Sequence, residues 1–432
     1  KETPQTVAEN LRKSEQWSEA AAAYEKLWRE NEREWDGYFW AQALRKAGVS
    51  DAALDACRAV YSKHRDFKAL NNLYALCIYD CQIKPLKQIS DDALVLKALN
   101  AIQQLYAPPE PPESFYLPNV AAWKVLRIYK DRVNFPAQPI LNVLKLVDPN
   151  LLGKNCYVTQ DENGKKIELA SEYEEYYALK SKALLLLKQY RECIECCEEA
   201  LTKLDKFHYD NDIWFKMRIA RANAELGDVE LAFRQLETLL SKRKEWFIQK
   251  DLAEWALKLG NRDKALKYAI DACLNHGDFD KKISVYKSAV NIFEQTGRPD
   301  DAKELVRFIV AIYNDMKKKH DPELTDWVKK YKLDAAHQSP LKKEFAGLRK
   351  RLEGVLGELV PSYEGVIEKF SADGQSGFVK SGKKPYYFKT KSLVGKKELF
   401  APGVKVVFNV EMGYDKKKDR TSEVAVNVRL AK

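Results

Sequence analysis

No run of 18 apolar residues occurs in the 432-residue chain, so the sequence predicts no membrane-spanning helix. The opening segment KETPQTVAENLRKSEQW lacks an apolar signal-peptide core and an initiator Met, which points to a processed or trimmed N-terminus. Nucleotide signatures are missing as well: there is no G-x-x-x-x-G-K-[ST] loop, and no G-x-G-x-x-G opening a helix after a strand. The five histidines (His64, His208, His276, His320 and His337) are dispersed, without an H-E-x-x-H or similar pairing. Cys193-x-x-Cys196 has metal or redox spacing, but no second CxxC and no His pair follows it. Core packing is the better reading there, and also for Cys77-x-x-x-Cys81. Carboxylate pairs such as Glu174-Glu175 and Glu198-Glu199 read as solvated helix faces. These absences argue against an enzyme, and no catalytic residue, metal ligand or cofactor is expected.

Hydrophobic residues make up 45% of the chain, enough for most of it to bury a core, and 31% is charged, as in helices with solvated faces. The eight cysteines scatter through apolar helical patterns with no secretory signal, which predicts free thiols and a cytoplasmic location. The net charge of +10 is uneven: residues 361–432 hold 15 Lys and Arg against 8 Asp and Glu, an excess of +7. Such a basic module suits a polyanionic partner, because cations on phosphates release condensed counterions.

Internal periodicity organises the first three quarters. SEQWSEAAAAYEKLW (14–28), KAGVSDAALDACRAV (46–60), LKQYRECIECCEEAL (187–201), ELGDVELAFRQLETLL (225–240), KLGNRDKALKYAIDACL (258–274) and QTGRPDDAKELVRFIV (295–310) share one plan. A turn residue comes first, then a small residue five positions on, then apolar residues at helical spacing. The turn slot holds Glu15, Gly48, Lys188, Gly227, Gly260 and Gly297; the small slot holds Ala20, Ala53, Cys193, Ala232, Ala265 and Ala302. Gly48 follows Glu15 by 33 positions, and Gly260 follows Gly227 by the same interval. The pattern resembles the tetratricopeptide repeat, a helix–turn–helix unit of about 34 residues. The resemblance implies a mostly α-helical solenoid of stacked hairpins whose groove holds a protein or peptide segment. Arg218, Arg221 and Lys250 are the candidate partner-binding residues, among aromatic clusters such as Trp214-Phe215 and Trp246-Phe247.

Five segments follow from this reading: repeats at 1–61, an atypical helical region at 62–170, further repeats at 171–315, a charged helical cap or linker at 316–361, and a separate module at 362–432. Within the second, YAPPEPPESFYLP (106–118) cannot be helical throughout, and CYVTQDENGKKIELA (156–170) reads as a β-hairpin turning at Asn163-Gly164. LKKEFAGLRKRLEGVLGEL (341–359) reads as one amphipathic helix.

In the last segment the period becomes two. GVIEKFS, SGFVKS, PYYFKT, KVVFNVEMG and SEVAVNVRL make five strands, suited to a small antiparallel barrel of the OB type. Gly365-Val366-Ile367-Glu368-Lys369-Phe370, Gly377-Phe378-Val379, Tyr386-Tyr387-Phe388-Lys389 and Ala425-Val426-Asn427-Val428 resemble the motifs of a cold-shock domain. That resemblance implies stacking of unpaired RNA or DNA bases on the second and third strands. Carried over, Phe378 and Tyr387 keep their rings, while Lys369, Ser376 and Lys389 stand where the family has Trp, an aromatic and His. Lys380, Lys383, Lys384 and Lys391 complete the expected nucleic-acid face, which favours phosphate contacts over stacking. The loop DKKKDR (415–420) reads as a solvated hairpin tip. The whole chain then reads as a non-enzymatic adaptor joining single-stranded nucleic acid to a protein partner, in a prokaryotic regulatory or defence-associated setting. The alternatives are a pure protein scaffold, or a sensor subunit for a separate effector enzyme.

Overall fold

The computed structural model describes residues 2–106, 116–160, 162, 164–359, 361–395, 397–415 and 420–431. The Pro-rich stretch 107–115, the hairpin residue Asn163 and the loop tip 416–419 lie outside the described residues. The chain divides into two compact units, residues 1–222 and 223–432.

The first unit holds α1 (Pro4–Lys13), α2 (Trp17–Asn31), α3 (Glu34–Lys46), α4 (Ser50–Lys63), α5 (Lys68–Ile78), α6 (Asp92–Leu105), α7 (Leu117–Lys130) and α8 (Ala137–Leu144). A two-stranded hairpin follows, β1 (Tyr157–Gln160) against β2 (Lys166–Leu169), then α9 (Glu172–Leu186), α10 (Tyr190–Lys203) and most of α11 (Asn211–Glu225). The second unit continues with α12 (Val229–Lys242), α13 (Trp246–Lys258), α14 (Arg262–Leu274), α15 (Ile283–Gln295), α16 (Pro299–Asp315), α17 (Pro322–Lys330) and α18 (Leu341–Leu359). Five strands close it: β3 (Ser362–Phe370), β4 (Ser376–Ser381), β5 (Lys384–Lys389), β6 (Lys405–Asp415) and β7 (Arg420–Leu430).

One local device builds the helical hairpins. Glu15, Gly48, Lys188, Gly227, Gly260 and Gly297 all have positive φ, between +58° and +102°. The next residue in each case donates its N–H five residues back, as in Gln16 to Leu11, Gln189 to Leu184 and Asn261 to Ala256. This is the left-handed helix stop with its long-range carbonyl bond. Four residues beyond, the small residue donates to the first carbonyl of the new helix. Ala20, Ala53, Cys193, Ala232, Ala265 and Ala302 are all fully buried there, so paired helices approach closely. The same stop recurs at Lys317 and Lys332, which the repeat pattern did not single out.

Larger apolar side chains fill the spaces between pairs, among them Tyr24, Tyr129, Tyr177 and Phe215 in the first unit and Tyr286, Phe293 and Phe308 in the second. Cys193, Cys196 and Cys197 belong to the core of the first unit, in agreement with the packing reading. All eight cysteines are free thiols. Among the described residues no helix is long and apolar enough to cross a membrane. The amphipathic helix α18 lays Phe345 against Phe279 and Phe308, with ring centroids 4.8 and 5.5 Å apart. Arg351 binds Asp301 at 2.5 Å beside them.

The barrel is closed, in the order β3-β4-β5-β7-β6. It is not antiparallel throughout, as the alternating pattern had suggested: β5 and β7 meet in parallel at Tyr387 and Val424, and Leu393 bridges Val428 in the same sense. The reason is parity. A ring of five strands cannot alternate direction at every neighbour, so one junction must be parallel. The core consists of Ile367, Val379, Tyr386, Phe388, Phe400, Val406, Phe408, Ala425 and Val428.

Two predictions follow from these helix ends. Lys188→Gly should stabilise the protein by about 0.5–1 kcal/mol, because a Cβ in the left-handed region costs more than glycine's extra chain entropy. A Gly260→Ala control, where open space surrounds the new methyl, should do the reverse in thermal unfolding. Asp321 caps α17 through the Leu324 N–H and also accepts from Lys287 Nζ at 2.6 Å and Tyr313 at 2.5 Å. Burial opposes its charged form, but these donors prevail and hold the carboxyl down at about 2. Its stabilising contribution is complete above the unfolded value of about 3.9 and is lost as pH falls towards about 2. Asp321→Ala should therefore cost about 1–2 kcal/mol in neutral denaturant titrations, and progressively less between pH 4 and 2.

Candidate nucleic-acid interface

Alternation along β4 and β5 sends Val379, Tyr386 and Phe388 inward and leaves Phe378, Lys380, Tyr387 and Lys389 on the outer face. The backbones pair Phe378 with Tyr387 directly, and their rings meet edge to face at 5.7 Å between centroids. Both are half-buried. Lys369 joins the row because β3 carries a bulge: Ile367 pairs with Val379, but Lys369, not Glu368, pairs with Phe378. Without that extra residue a carboxylate would face the aromatic row. Instead the Lys369 ammonium sits 5.6 Å from the Phe378 ring centre.

Gly377 makes the strand approach possible. A Cβ there would stand 2.6 Å from both the Lys369 carbonyl oxygen and the Phe388 ring. The outer row thus runs Lys369, Phe378, Tyr387 and Val424 across four strands.

The remaining expected residues separate into two groups. Lys380 and Lys389 are exposed on the strands that carry the ring pair, and Lys383 and Lys391 are exposed just beyond the ends of those strands. Lys384 is exposed too, but its ammonium is paired with Glu423 on β7, which raises its pKa. Ser376 lies opposite Lys389, and its hydroxyl donates to Ser371 Oγ at 2.9 Å. Ser371 in turn donates to Asp373, and that bond helps hold the Asp373 carboxyl below its ordinary range. Ser376 is therefore spent on the β3–β4 turn. Lys384 follows the parity of Tyr386, with its ammonium 5.1 Å from that ring centre, so its pair with Glu423 lies off the Phe378–Tyr387 row; neither Glu423 nor the Ser371–Asp373 turn carries a sequence signal.

The opposite wall of the barrel contacts helices of its own unit. Glu411 on β6 accepts from Lys244 Nζ at 2.9 Å and lies 3.5 Å from Lys267 Nζ. Burial works against the charged Glu411, yet the two ammonium groups hold its carboxyl below the usual range. A cleft of about 840 Å³ opens beside this contact, with Lys244, Lys267, Arg349 and Glu353 on the helical side and Glu411 and Arg429 on the barrel side. Its charges are mixed in sign, unlike the lysine-rich outer face of β4 and β5.

The candidate partner-binding residues fare differently. Arg218 is buried, not displayed in a groove; it donates to Ser181 Oγ at 3.0 Å and lies over the Phe215 ring. Its spacing on α11 matched a groove position, but the guanidinium turns inward to the Ser181 hydroxyl. Arg221 is half-buried, and Lys250 in the other unit is half-buried and bound to Glu254 at 2.7 Å. Away from both regions, Cys156, Glu168 and His208 bring potential metal-ligand atoms within 4.8 Å of one another. No spacing rule relates these three positions.

No protein-family model matches the chain. No curated protein matches it either. Among solved structures, it is similar to the kinesin light chain TPR-like repeats of Podosopora anserina, at 15% identity and a TM-score of 0.30 over 42% of this chain and 90% of that one. It is also similar to the Naa15/Naa10 complex bound to HypK-THB, at 14% identity and a TM-score of 0.38, covering 82% of this chain and 52% of the other. A third is the yeast Sti1 TPR2AB domain in its pHSP90 complex, at 13% identity and a TM-score of 0.23 over 68% of this chain and 95% of that one. The TPR-like description of the helices stands on the eight matching helix stops and six buried small residues of this chain itself.

The pairing of Lys384 yields a prediction for any polyanion that uses the face. In anisotropy titrations with a short single strand, Lys389→Ala should lower the salt slope by about 1, as expected for one lost phosphate contact. Lys384→Ala should change it by less, since that ammonium is already neutralised by Glu423.

Proposed function

We propose that the chain is a non-enzymatic adaptor in which the barrel holds single-stranded RNA or DNA and the helical hairpins hold a protein segment. The observation that carries the nucleic-acid half is the adjacent Phe378–Tyr387 pair, flanked by exposed Lys369, Lys380, Lys383, Lys389 and Lys391. A ring pair of this kind offers a stacking platform to any base, worth about 1–3 kcal/mol per stacked base. The cation-rich surround supplies the sequence-independent phosphate term. With Lys369, Ser376 and Lys389 replacing three further rings, phosphate contacts carry more of the affinity than stacking does. The resemblance of this module to cold-shock domains supports the same reading, and the prokaryotic regulatory or defence-associated setting belongs with it.

The protein-binding half rests on the repeat architecture, since stacked helical hairpins present an extended groove suited to a peptide. Two moderate contacts on one chain reinforce each other through effective concentration. A second reading is a scaffold whose barrel binds no nucleic acid and serves to dock. The Lys244–Glu411–Lys267 contact of β6 with the helices favours that role for the opposite wall.

Fluorescence anisotropy of the full chain with short RNA and DNA strands at two salt concentrations separates the two. The adaptor reading expects micromolar or tighter binding that falls with salt, with a log–log slope of about −3.5 for five phosphate contacts on a single strand. Phe378→Ala/Tyr387→Ala should weaken it by at least about tenfold, the value of one stacked base. Absence of binding at low salt would leave the scaffold reading in its place.

A further inference from the structure

The hairpin of β1 and β2 is a structural problem in its own right. Its strands are four residues each, and none of their side chains is buried. Tyr157 and Val158 are more than half exposed. A two-stranded hairpin of this kind is marginal in water and needs something to hold it. What lies against it is a convergent set of donor atoms: Cys156 just before β1, Glu168 on β2, and His208 in the segment leading to α11.

His208 is built as a ligand. Its side chain is only 8% exposed, and its Nδ1 lies 2.7 Å from Glu174 Oε2. Glu174 is itself 1% exposed and also accepts from the His208 N–H at 2.7 Å and from Asn211 Nδ2 at 2.8 Å. An ionised carboxylate only accepts, so Nδ1–H donates to Glu174 and the ring is held with Nε2 turned the other way. That Nε2 is buried and has no hydrogen-bond partner. It points towards Glu168, with 3.8 Å between Nε2 and Oε1. That Nε2 faces a carboxylate and a thiol without a hydrogen bond inside the protein, an arrangement that a cation between the three groups would satisfy. A carboxylate gripping the far nitrogen of a histidine is also the usual outer support of a metal-bound imidazole.

We propose that Cys156, Glu168 and His208 form a binding site for a divalent transition metal, Zn²⁺ by the chemistry of the set. One sulfur, one oxygen and one imidazole nitrogen are borderline-soft donors of the kind zinc takes. With metal bonds of about 2.0–2.3 Å, tetrahedral ligand atoms stand about 3.3–3.6 Å apart. The 3.8 Å Nε2–Oε1 separation is close to that span. Three protein donors leave the fourth position to water. Glu168 Oε2 also accepts from exposed Lys206 at 2.5 Å, which leaves Oε1 for the metal. Binding would release the Cys156 thiol proton and clamp the hairpin to the segment that enters α11.

The full chain, stripped with a chelator, can be titrated with Co²⁺ and then with Zn²⁺ against a chromophoric chelator. One equivalent of Co²⁺ should give a thiolate-to-cobalt charge-transfer band that Zn²⁺ displaces. Cys156→Ser should abolish that band, and Glu168→Gln, a half-exposed change that leaves the core intact, should weaken Zn²⁺ at least about tenfold. Cys81→Ser should leave both unchanged, because Cys81 lies in another part of the unit. The proposal is overturned if no saturable binding occurs at micromolar metal, or if the band survives Cys156→Ser.

Discussion

A single backbone constraint carries the repeat hairpins of this protein: the chain leaves the first helix of each through a residue in the left-handed region. From that residue the next N–H reaches back five positions, and the following helix begins directly after it. Four residues later a side chain no larger than Ala or Cys must sit in the closest part of the hairpin. Everything larger is arranged around that contact. Where the stop is glycine the conformation costs little. At Glu15 and Lys188 a Cβ is tolerated because the surrounding hairpin over-determines the turn.

In the barrel the corresponding constraint is closure. Five strands remove the exposed edges that a small sheet would otherwise present, and their odd number forces the one parallel junction at Tyr387 and Val424. The β3 bulge then decides which side chain of Glu368 and Lys369 faces the aromatic pair. One inserted residue thereby sets the charge of the outer row. On the far wall Glu411 is instead held between two lysines on helices of the same unit.

The repeat plan was legible because it is local. A turn residue and a small residue five positions apart act within one hairpin, so Glu15 and Lys188 could be placed in the turn slot even without glycine. Lys317 and Lys332 were not legible in that way, since no small residue at the repeat spacing marks them. Strand positions were equally legible from the two-residue period, and the resemblance to cold-shock domains singled out Phe378 and Tyr387 on them. The partners that qualify the face were hidden. Glu423 neutralises Lys384 from a strand 39 residues away in sequence, and Ser371 takes the Ser376 hydroxyl through a turn geometry. Arg218 shows the opposite failure: its helical position suggested a groove, but the Ser181 hydroxyl draws it inside.

The two classes of element, the hairpin stops, the close-packing slots and the basic module could be read along the chain, because each depends on neighbours within a few residues. Tertiary structure alone decided the parallel strand pair, the bulge that puts Lys369 beside Phe378, and the meeting of Cys156, Glu168 and His208. Those depend on contacts between residues 9 to 52 positions apart. At such separations composition and spacing no longer constrain geometry, and only the folded backbone fixes which side chains share a few ångströms.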